Sequence, residues 1–279
     1  MLPVPPPPEP IESAAETSAA GPPSRARRSA FNEEETGQSE SLPSDWLAIL
    51  ESNVFHYRLL DDTERRRLGN DARTMIAEKS WEGCGGLSVT DEIKVTIAAQ
   101  ACLMLLGREH DGFSRVISIL VYPSGFQAID EIWQSQGWAP LEAAGQAVYH
   151  GPVILAWDTV LAEGRDPSAG RNLVIHEFAH QLDFVDGYVD GTLNLGGSEA
   201  ERWNRILTAE YNRLRREVRQ GHETFLGDYA ATSKTEFFAT ASERFFTQPE
   251  KLRHYHSELY ELLAATYAID PERWFARLR

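Results

Sequence analysis

The segment Asn172-Leu-Val-Ile-His176-Glu177-Phe-Ala-His180-Gln-Leu-Asp183 contains the pattern HExxH within a run of mostly apolar residues. Four residues of α-helix turn through about 400° and rise about 6 Å, so the two histidines lie one turn apart on one face. Both imidazoles can reach one metal ion, and Glu177 can reach a water bound to it. Two histidines and a glutamate on a buried helix are costly unless they are paired or ligated. The segment therefore predicts a catalytic zinc centre on a central helix.

A catalytic zinc site needs a third protein ligand, and the sequence offers three candidates. The extended pattern HExxHxxGxxH would place the ligand at Asp186, although the glycine of that pattern is Asp183 here. His222 is the second candidate. The third is Glu236, which lies two helical turns before Glu243 on the same face of a predicted helix.

Glu236 is the favoured ligand because Ala239 and Thr240, on the face it shares with Glu243, are small and allow close approach to the HExxH helix. Acidic groups on such a face need partners. We expect Glu243 either to hold a ligand histidine through its other ring nitrogen or to form an ion pair elsewhere. Asp183 is expected to orient a ligand histidine or to cap the end of its helix.

The rest of the pattern predicts one α+β domain, mainly helical, with a small mixed sheet packed among the helices. Thr90 is the predicted N-cap of a helix over 90–106 that is apolar on most sides. Strands are predicted over 116–122 and 148–157, and Pro152 places the second strand at a sheet edge. Further helices are predicted over 172–184, 198–219, 234–246 and 249–267.

Residues 1–44 differ in composition from the rest of the chain. They contain nine of the 15 prolines and an acidic run at Glu33, Glu34 and Glu35. Such a segment buries too little apolar surface to offset its ordering entropy. We predict a disordered tail over 1–44 and a single domain over 45–279.

Charge and composition exclude several classes of protein. The chain has 42 acidic against 27 basic residues and a net charge of −15, so direct nucleic-acid binding is not expected. No apolar run approaches the ~20 residues of a membrane span. Arg27 and Arg28 lack the apolar stretch that an export signal requires. Two cysteines make no disulfide framework. We therefore expect a cytoplasmic protein.

Three further blocks follow the HExxH segment in order: Asp228-Tyr229-Ala-Ala, Glu236-Phe-Phe-Ala and Ser242-Glu243-Arg-Phe-Phe. With these blocks the chain resembles the Mlc titration factor A family of zinc peptidases. Shorter matching blocks precede the motif at 98–101, 121–123 and 153–157. The resemblance covers the whole predicted domain and leaves out the tail.

The resemblance implies a fold like the catalytic domain of anthrax lethal factor. It implies one Zn²⁺ per chain held by His176, His180 and Glu236, with Glu177 catalytic and Tyr229 beside the site. It also implies aminopeptidase-type activity and, in enteric bacteria, binding of a glucose-responsive transcriptional repressor.

Two functions are therefore predicted. In the first, the protein is a zinc-dependent peptidase in which Glu177 is the general base and Tyr229 donates a hydrogen bond to the reacting carbonyl oxygen of a peptide substrate. This activity would be linked to regulation of sugar uptake through the repressor. In the second, the protein is a regulatory module that sequesters a DNA-binding repressor, and its metal site is structural or its peptidase activity is incidental.

Overall fold

The computed structural model describes residues 42–107, 113–124, 152–183 and 197–278. Leu42–Arg279 forms one compact unit, and the remaining unit, Met1–Ser41, lies outside the described residues. The prediction of a disordered tail falls almost entirely on those residues and stays a prediction.

The described chain is mainly helical, as predicted. None of its helices combines the length and apolarity needed to cross a bilayer. Short 3₁₀ segments lie at Phe55–Leu59, Leu103–Leu105, Pro167–Ala169 and Tyr229–Ala231. In chain order, the α-helices are α1 (Ser44–Asn53), α2 (Asp62–Glu78), α3 (Asp91–Cys102), α4 (Trp157–Arg165), α5 (Leu173–Asp183), α6 (Gly197–Arg219), α7 (Lys234–Thr247), α8 (Pro249–Tyr255), α9 (Ser257–Tyr267) and α10 (Pro271–Ala276).

Three strands form a small sheet in the order β1 (Ser80–Gly83), β2 (Ser118–Tyr122) and β3 (Val153–Ala156). The expected sheet was mixed, but both described pairings are parallel. The direction follows from the connection, because α3 lies between β1 and β2 in the chain and parallel neighbours need such a crossover. β3 starts directly after Pro152 and is an outer strand of the three described, as the proline predicts.

Helix α3 lies in the core, as its apolar pattern predicts. The Thr90 hydroxyl accepts a hydrogen bond from the backbone N–H of Ile93 and caps the helix. Nine of its twelve residues are buried, and the helix packs against α1, α2, α4 and α5. The chain continues from α3 into the buried 3₁₀ turn Leu103–Leu105.

Helix α5, which carries the HExxH pattern, packs along α7. On α5, Ile175, Phe178 and Ala179 are completely buried. On α7, Phe237 and Ala239 are completely buried as well. This packing brings the polar faces of the two helices to a common edge of the core.

The predicted single helix over 249–267 is wrong in one respect, since His256 interrupts it between α8 and α9. Its backbone is non-helical, with φ −141° and ψ 59°. The His256 side chain is buried, and its Nδ1 lies 2.7 Å from a carboxylate oxygen of Glu210 in α6. Helical periodicity alone does not indicate this break, and the partner of His256 lies on a distant helix.

Candidate metal centre

The start of α5 is held by three side chains. The Asn172 side-chain oxygen accepts from the backbone N–H of Ile175 at 2.9 Å and caps the helix. Glu163 accepts from the N–H of Leu173 at 2.7 Å, and Glu243 accepts from the N–H of Asn172 at 2.8 Å. Carboxylates at a helix N-terminus are favoured by the helix dipole. The first turn of α5, and with it the following histidine, is therefore firmly placed.

His176 and His180 project from one face of α5, as their spacing predicts. Their Nε2 atoms lie 3.2 Å apart, and their ring centroids are separated by 4.8 Å. The two side chains are 12% and 15% exposed, respectively. Both rings are thus largely enclosed and still reachable from one side.

Glu236 enters the same space from the first turn of α7. The Ser233 hydroxyl accepts from the Glu236 backbone N–H at 3.1 Å and caps α7. The Glu236 carboxylate oxygens lie 3.0 Å from Nε2 of His176 and 3.6 Å from Nε2 of His180. Ligand atoms of these three residues all lie within 4.8 Å of one another. Among the described residues, no other trio of histidine, cysteine, aspartate or glutamate is grouped in this way.

The donor atoms of the three residues lie near the spacing of a tetrahedral metal site. Zn–N and Zn–O bonds of about 2.05 Å at the tetrahedral angle place neighbouring ligand atoms about 3.3 Å apart. The two imidazole Nε2 atoms are 3.2 Å apart, while Oε2 of Glu236 lies 3.0 Å from Nε2 of His176 and Oε1 lies 3.6 Å from Nε2 of His180. Two imidazoles and one carboxylate, with one side open, are also the donor set of catalytic zinc. The donor set and its spacing therefore fit a zinc ion.

The electrostatics of the cluster favour a cation at its centre. Burial opposes the charged form of His176, but hydrogen bonds to Glu236 and Glu243 outweigh it and raise the pKa of His176 to about 10. Burial would raise the pKa of Glu236, yet contacts with both histidines hold it well below its usual range. The negative charge of the Glu236 carboxylate is thus stabilised by positive charge at the histidines. Either a proton on an imidazole or a divalent cation between the three residues can supply that positive charge.

Glu243 contacts the far side of the His176 ring. Its Oε1 lies 2.6 Å from Nδ1 of His176, and because an ionised carboxylate only accepts, Nδ1 carries the hydrogen and donates it. That arrangement directs Nε2 toward His180 and Glu236. Glu243 thus lies where the first of its two sequence-based alternatives places it, on the ring nitrogen away from the cluster.

Glu177 and Tyr229 border the cluster. Glu177 is partly buried, and burial raises the pKa of its carboxyl group while the neighbouring histidines oppose the rise. The ring of Tyr229 lies 6.1 Å from that of His176, and the residue is 60% exposed. Burial of its hydroxyl and the Glu236 carboxylate together raise the pKa of Tyr229. Tyr229 therefore remains a protonated donor at neutral pH.

The other candidate residues lie elsewhere. His222 is exposed in the turn after α6 and is not part of the cluster. Asp186 lies outside the described residues. Asp183 ends α5, and its side chain is also outside what the structure describes.

Three residues around the site were not identified from sequence: Gln100, Asn172 and Glu163. An asparagine directly before an apolar helical run is a recognisable capping signal, so the role of Asn172 as an N-cap could have been predicted from the sequence. Gln100 and Glu163 carry no such signal, because their partners are far away in the chain.

A pair of imidazoles from one helix, a carboxylate from a second and an adjacent glutamate lie here within a helical α+β domain that has a small sheet. Together they define a zincin-like metallopeptidase domain. The sequence profile of the glucose-regulated metallo-peptidase M90 family matches residues 26–268 of this chain. The chain belongs to this family.

Similar proteins support the same assignment. An uncharacterized protein from Synechocystis sp. is 35% identical over 236 residues, which cover 82% of this chain and 86% of that protein. Mlc titration factor A from Serratia proteamaculans is 34% identical over 230 residues, covering 79% and 86% of the two chains. Mlc titration factor A from Klebsiella pneumoniae is 31% identical over 249 residues, covering 86% and 90%. The resemblance drawn from the motif blocks is confirmed.

Proposed function

We propose that the protein is a zinc-dependent peptidase of aminopeptidase type, with one Zn²⁺ held by His176, His180 and Glu236. The observation that carries this proposal is the convergence of the three ligand atoms within 4.8 Å of one another, with Glu177 adjacent in sequence to one of the ligands. Membership in a metallo-peptidase family supports it.

Zinc in such a site supplies Lewis acidity and lowers the pKa of water to about 7. Glu177 accepts the proton of the attacking water and delivers it to the leaving amine. Burial raises the pKa of Glu177 toward neutrality, which makes it a stronger base than a solvated glutamate.

Tyr229 is the proposed donor to the carbonyl oxygen that gains negative charge in the transition state. Its position in the 3₁₀ turn Tyr229–Ala231, just before α7, keeps the ring beside His176. The residue as a whole is 60% exposed, so an approaching substrate can compete with the Glu236 carboxylate for its hydroxyl.

The outer strand β3 is the proposed binding edge for an extended peptide, which would pair with it as an added strand. It packs against α5 and has a free edge within the described sheet. Backbone hydrogen bonds along such an edge align a peptide with little dependence on its side chains.

The second candidate is a regulatory role in the cytoplasm, in which the protein sequesters a DNA-binding transcriptional repressor. Two of the relatives above carry the name Mlc titration factor A, and that name favours this candidate. The metal site would then be structural, or its peptidase activity incidental to binding.

Glu177→Gln separates the two candidates, because it removes the base while keeping the shape of the side chain. We expect the variant to retain one zinc per chain and to hydrolyse aminoacyl and peptide substrates at least ~100-fold more slowly. His222→Gln, at an exposed position away from the cluster, is the matched control and should keep full activity. Unchanged hydrolysis by Glu177→Gln, or wild-type protein that binds no zinc, would refute the peptidase. If the variant loses hydrolysis and keeps every cellular effect, the regulatory role is favoured.

A further inference from the structure

A buried chain of hydrogen bonds runs behind the metal centre, from α3 to His176. It begins at Gln100, which is completely buried and lies in the last turn of α3. The Gln100 side-chain oxygen accepts from Nδ2 of Asn172 at 2.7 Å, and its Nε2 donates to the Val160 carbonyl at 3.4 Å. The proposed reaction uses neither Gln100 nor Asn172.

Asn172 connects this series of hydrogen bonds to the HExxH helix through three of its atoms. Its Oδ1 accepts from the Ile175 N–H, its Nδ2 donates to Gln100, and its backbone N–H donates to Oε2 of Glu243. The residue is completely buried, so water does not replace a lost partner without rearrangement. The position of Asn172 therefore determines where one oxygen of Glu243 is held.

Glu243 transmits this position to the metal ligand. Its two oxygens are bound separately, at 2.8 Å from the Asn172 nitrogen and 2.6 Å from Nδ1 of His176. A carboxylate held at both oxygens is fixed in rotation, so it fixes the plane of the imidazole as well. Outer contacts of this kind set the orientation and basicity of a ligand histidine.

The packing around Gln100 leaves its amide little freedom. α4 approaches α3 at Gly164, where a Cβ atom would lie 2.6 Å from the Gln100 Nε2 and 2.8 Å from the Asn53 carbonyl oxygen. Glycine at this position thus permits the close approach that leaves the amide little space. The orientation with the oxygen toward Asn172 and the N–H toward Val160 satisfies both hydrogen bonds.

We propose that Gln100 is a positioning residue of the metal centre, acting through Asn172 and Glu243 to hold His176 with Nε2 directed at the other two ligands. The inference rests on the proposed zinc site. It predicts that a residue with no contact to the metal sets the affinity for the metal.

The test measures Zn²⁺ affinity of the full chain by competition with a chromophoric chelator. Gln100→Leu keeps the size of the side chain and removes both hydrogen bonds, and we expect about 10-fold weaker binding, since loss of outer-shell partners typically costs 10–100-fold. Asn172→Ser keeps a capping oxygen and removes the bond to Gln100, and we expect a similar loss. Both variants break the same Gln100–Asn172 hydrogen bond, so their effects should not multiply. The double variant should therefore bind Zn²⁺ about 10-fold more weakly than wild type, not about 100-fold.

Thr96→Val is the matched control. Thr96 is a completely buried residue one turn earlier on α3, and its hydroxyl accepts from Asn53 rather than from the metal centre. This variant should lose stability and retain Zn²⁺ affinity within about 2-fold of wild type. The visible absorption spectrum of the Co²⁺-loaded protein, which reports ligand geometry, should change in Gln100→Leu and stay unchanged in Thr96→Val.

Equal Zn²⁺ affinities for Gln100→Leu and Thr96→Val, or multiplying losses in the double variant, would overturn the inference. If Gln100→Leu does not fold, Asn172→Ser against Thr96→Val decides in the same way. The proposed function fails separately: zinc-loaded wild-type protein without peptidase activity would refute the enzyme and leave the affinity comparison valid.

Discussion

His56 makes the stability of the fold dependent on pH in a predictable direction. The side chain is completely enclosed, and its Nε2 lies 2.9 Å from the Phe246 carbonyl oxygen, to which it donates. Its Nδ1 is buried and has no hydrogen-bond partner among the described residues. Phe55 and Phe275 pack against the ring. Protonation of Nδ1 would therefore place an unpaired charge among aromatic side chains.

Burial lowers the pKa of His56 from 6.5 to about 4, and the hydrogen bond to Phe246 offsets only part of this. Above pH 6.5 neither the folded nor the unfolded chain is protonated at His56, and its full contribution to stability is present. As the pH falls toward 4, only the unfolded chain takes up the proton, so the free energy of unfolding decreases. The complete loss is about 3 kcal/mol, and about 2 kcal/mol of it falls between pH 7 and pH 5.

Urea unfolding of wild type and His56→Gln, in excess chelator so that zinc release does not contribute, measures this term. Glutamine keeps an N–H donor for Phe246 and does not titrate. Between pH 7 and pH 5 the wild type should lose about 2 kcal/mol more stability than the variant. His222→Gln, at an exposed position, should follow the wild type. If wild type and His56→Gln lose stability in parallel, the reasoning about His56 is refuted.

Three further predictions concern the site and its frame. Glu236→Ala should lower zinc occupancy, measured by metal analysis after dialysis; unchanged occupancy together with an empty site in Asp186→Ala would transfer the third ligand to Asp186. Gly170→Ala should lower the midpoint of thermal unfolding, because φ is +75° there and a Cβ atom would collide with the Arg244 guanidinium; a midpoint equal to wild type would contradict this. Asp61→Ala removes the capping box of α2 and should cost about 1 kcal/mol in urea unfolding without changing zinc affinity.

Local pattern was sufficient for the elements that carry the chemistry. The spacing of His176 and His180 placed both imidazoles on one side of α5, because a helix fixes the direction of residues four apart. The Thr90 cap and the apolar α3 were equally predictable. The position of Glu236 needed one more argument, that a helix face with small residues and two acidic residues packs against a neighbouring element. The structure places the Glu236 carboxylate beside the two histidines.

Contacts between distant segments were not predictable in this way. Gln100 and Asn172 are 72 residues apart, and nothing in either local pattern indicates that they meet. His256 interrupts a helix that its neighbours favour, and its partner Glu210 lies in another helix, 46 residues away in the chain. The parallel direction of β1 and β2 likewise depends on the helical connection between them and not on strand composition.

The amino-acid pattern alone predicted the helix with the two histidines, the acidic residues that follow it in the chain, and the mainly helical class, since each follows from periodicity within a few turns of backbone. Tertiary packing settled which second carboxylate lies behind His176, which amide holds the first turn of α5, and where the C-terminal helices break. Those outcomes depend on the distance and orientation of side chains that only a packed core brings together, so no local pattern encodes them.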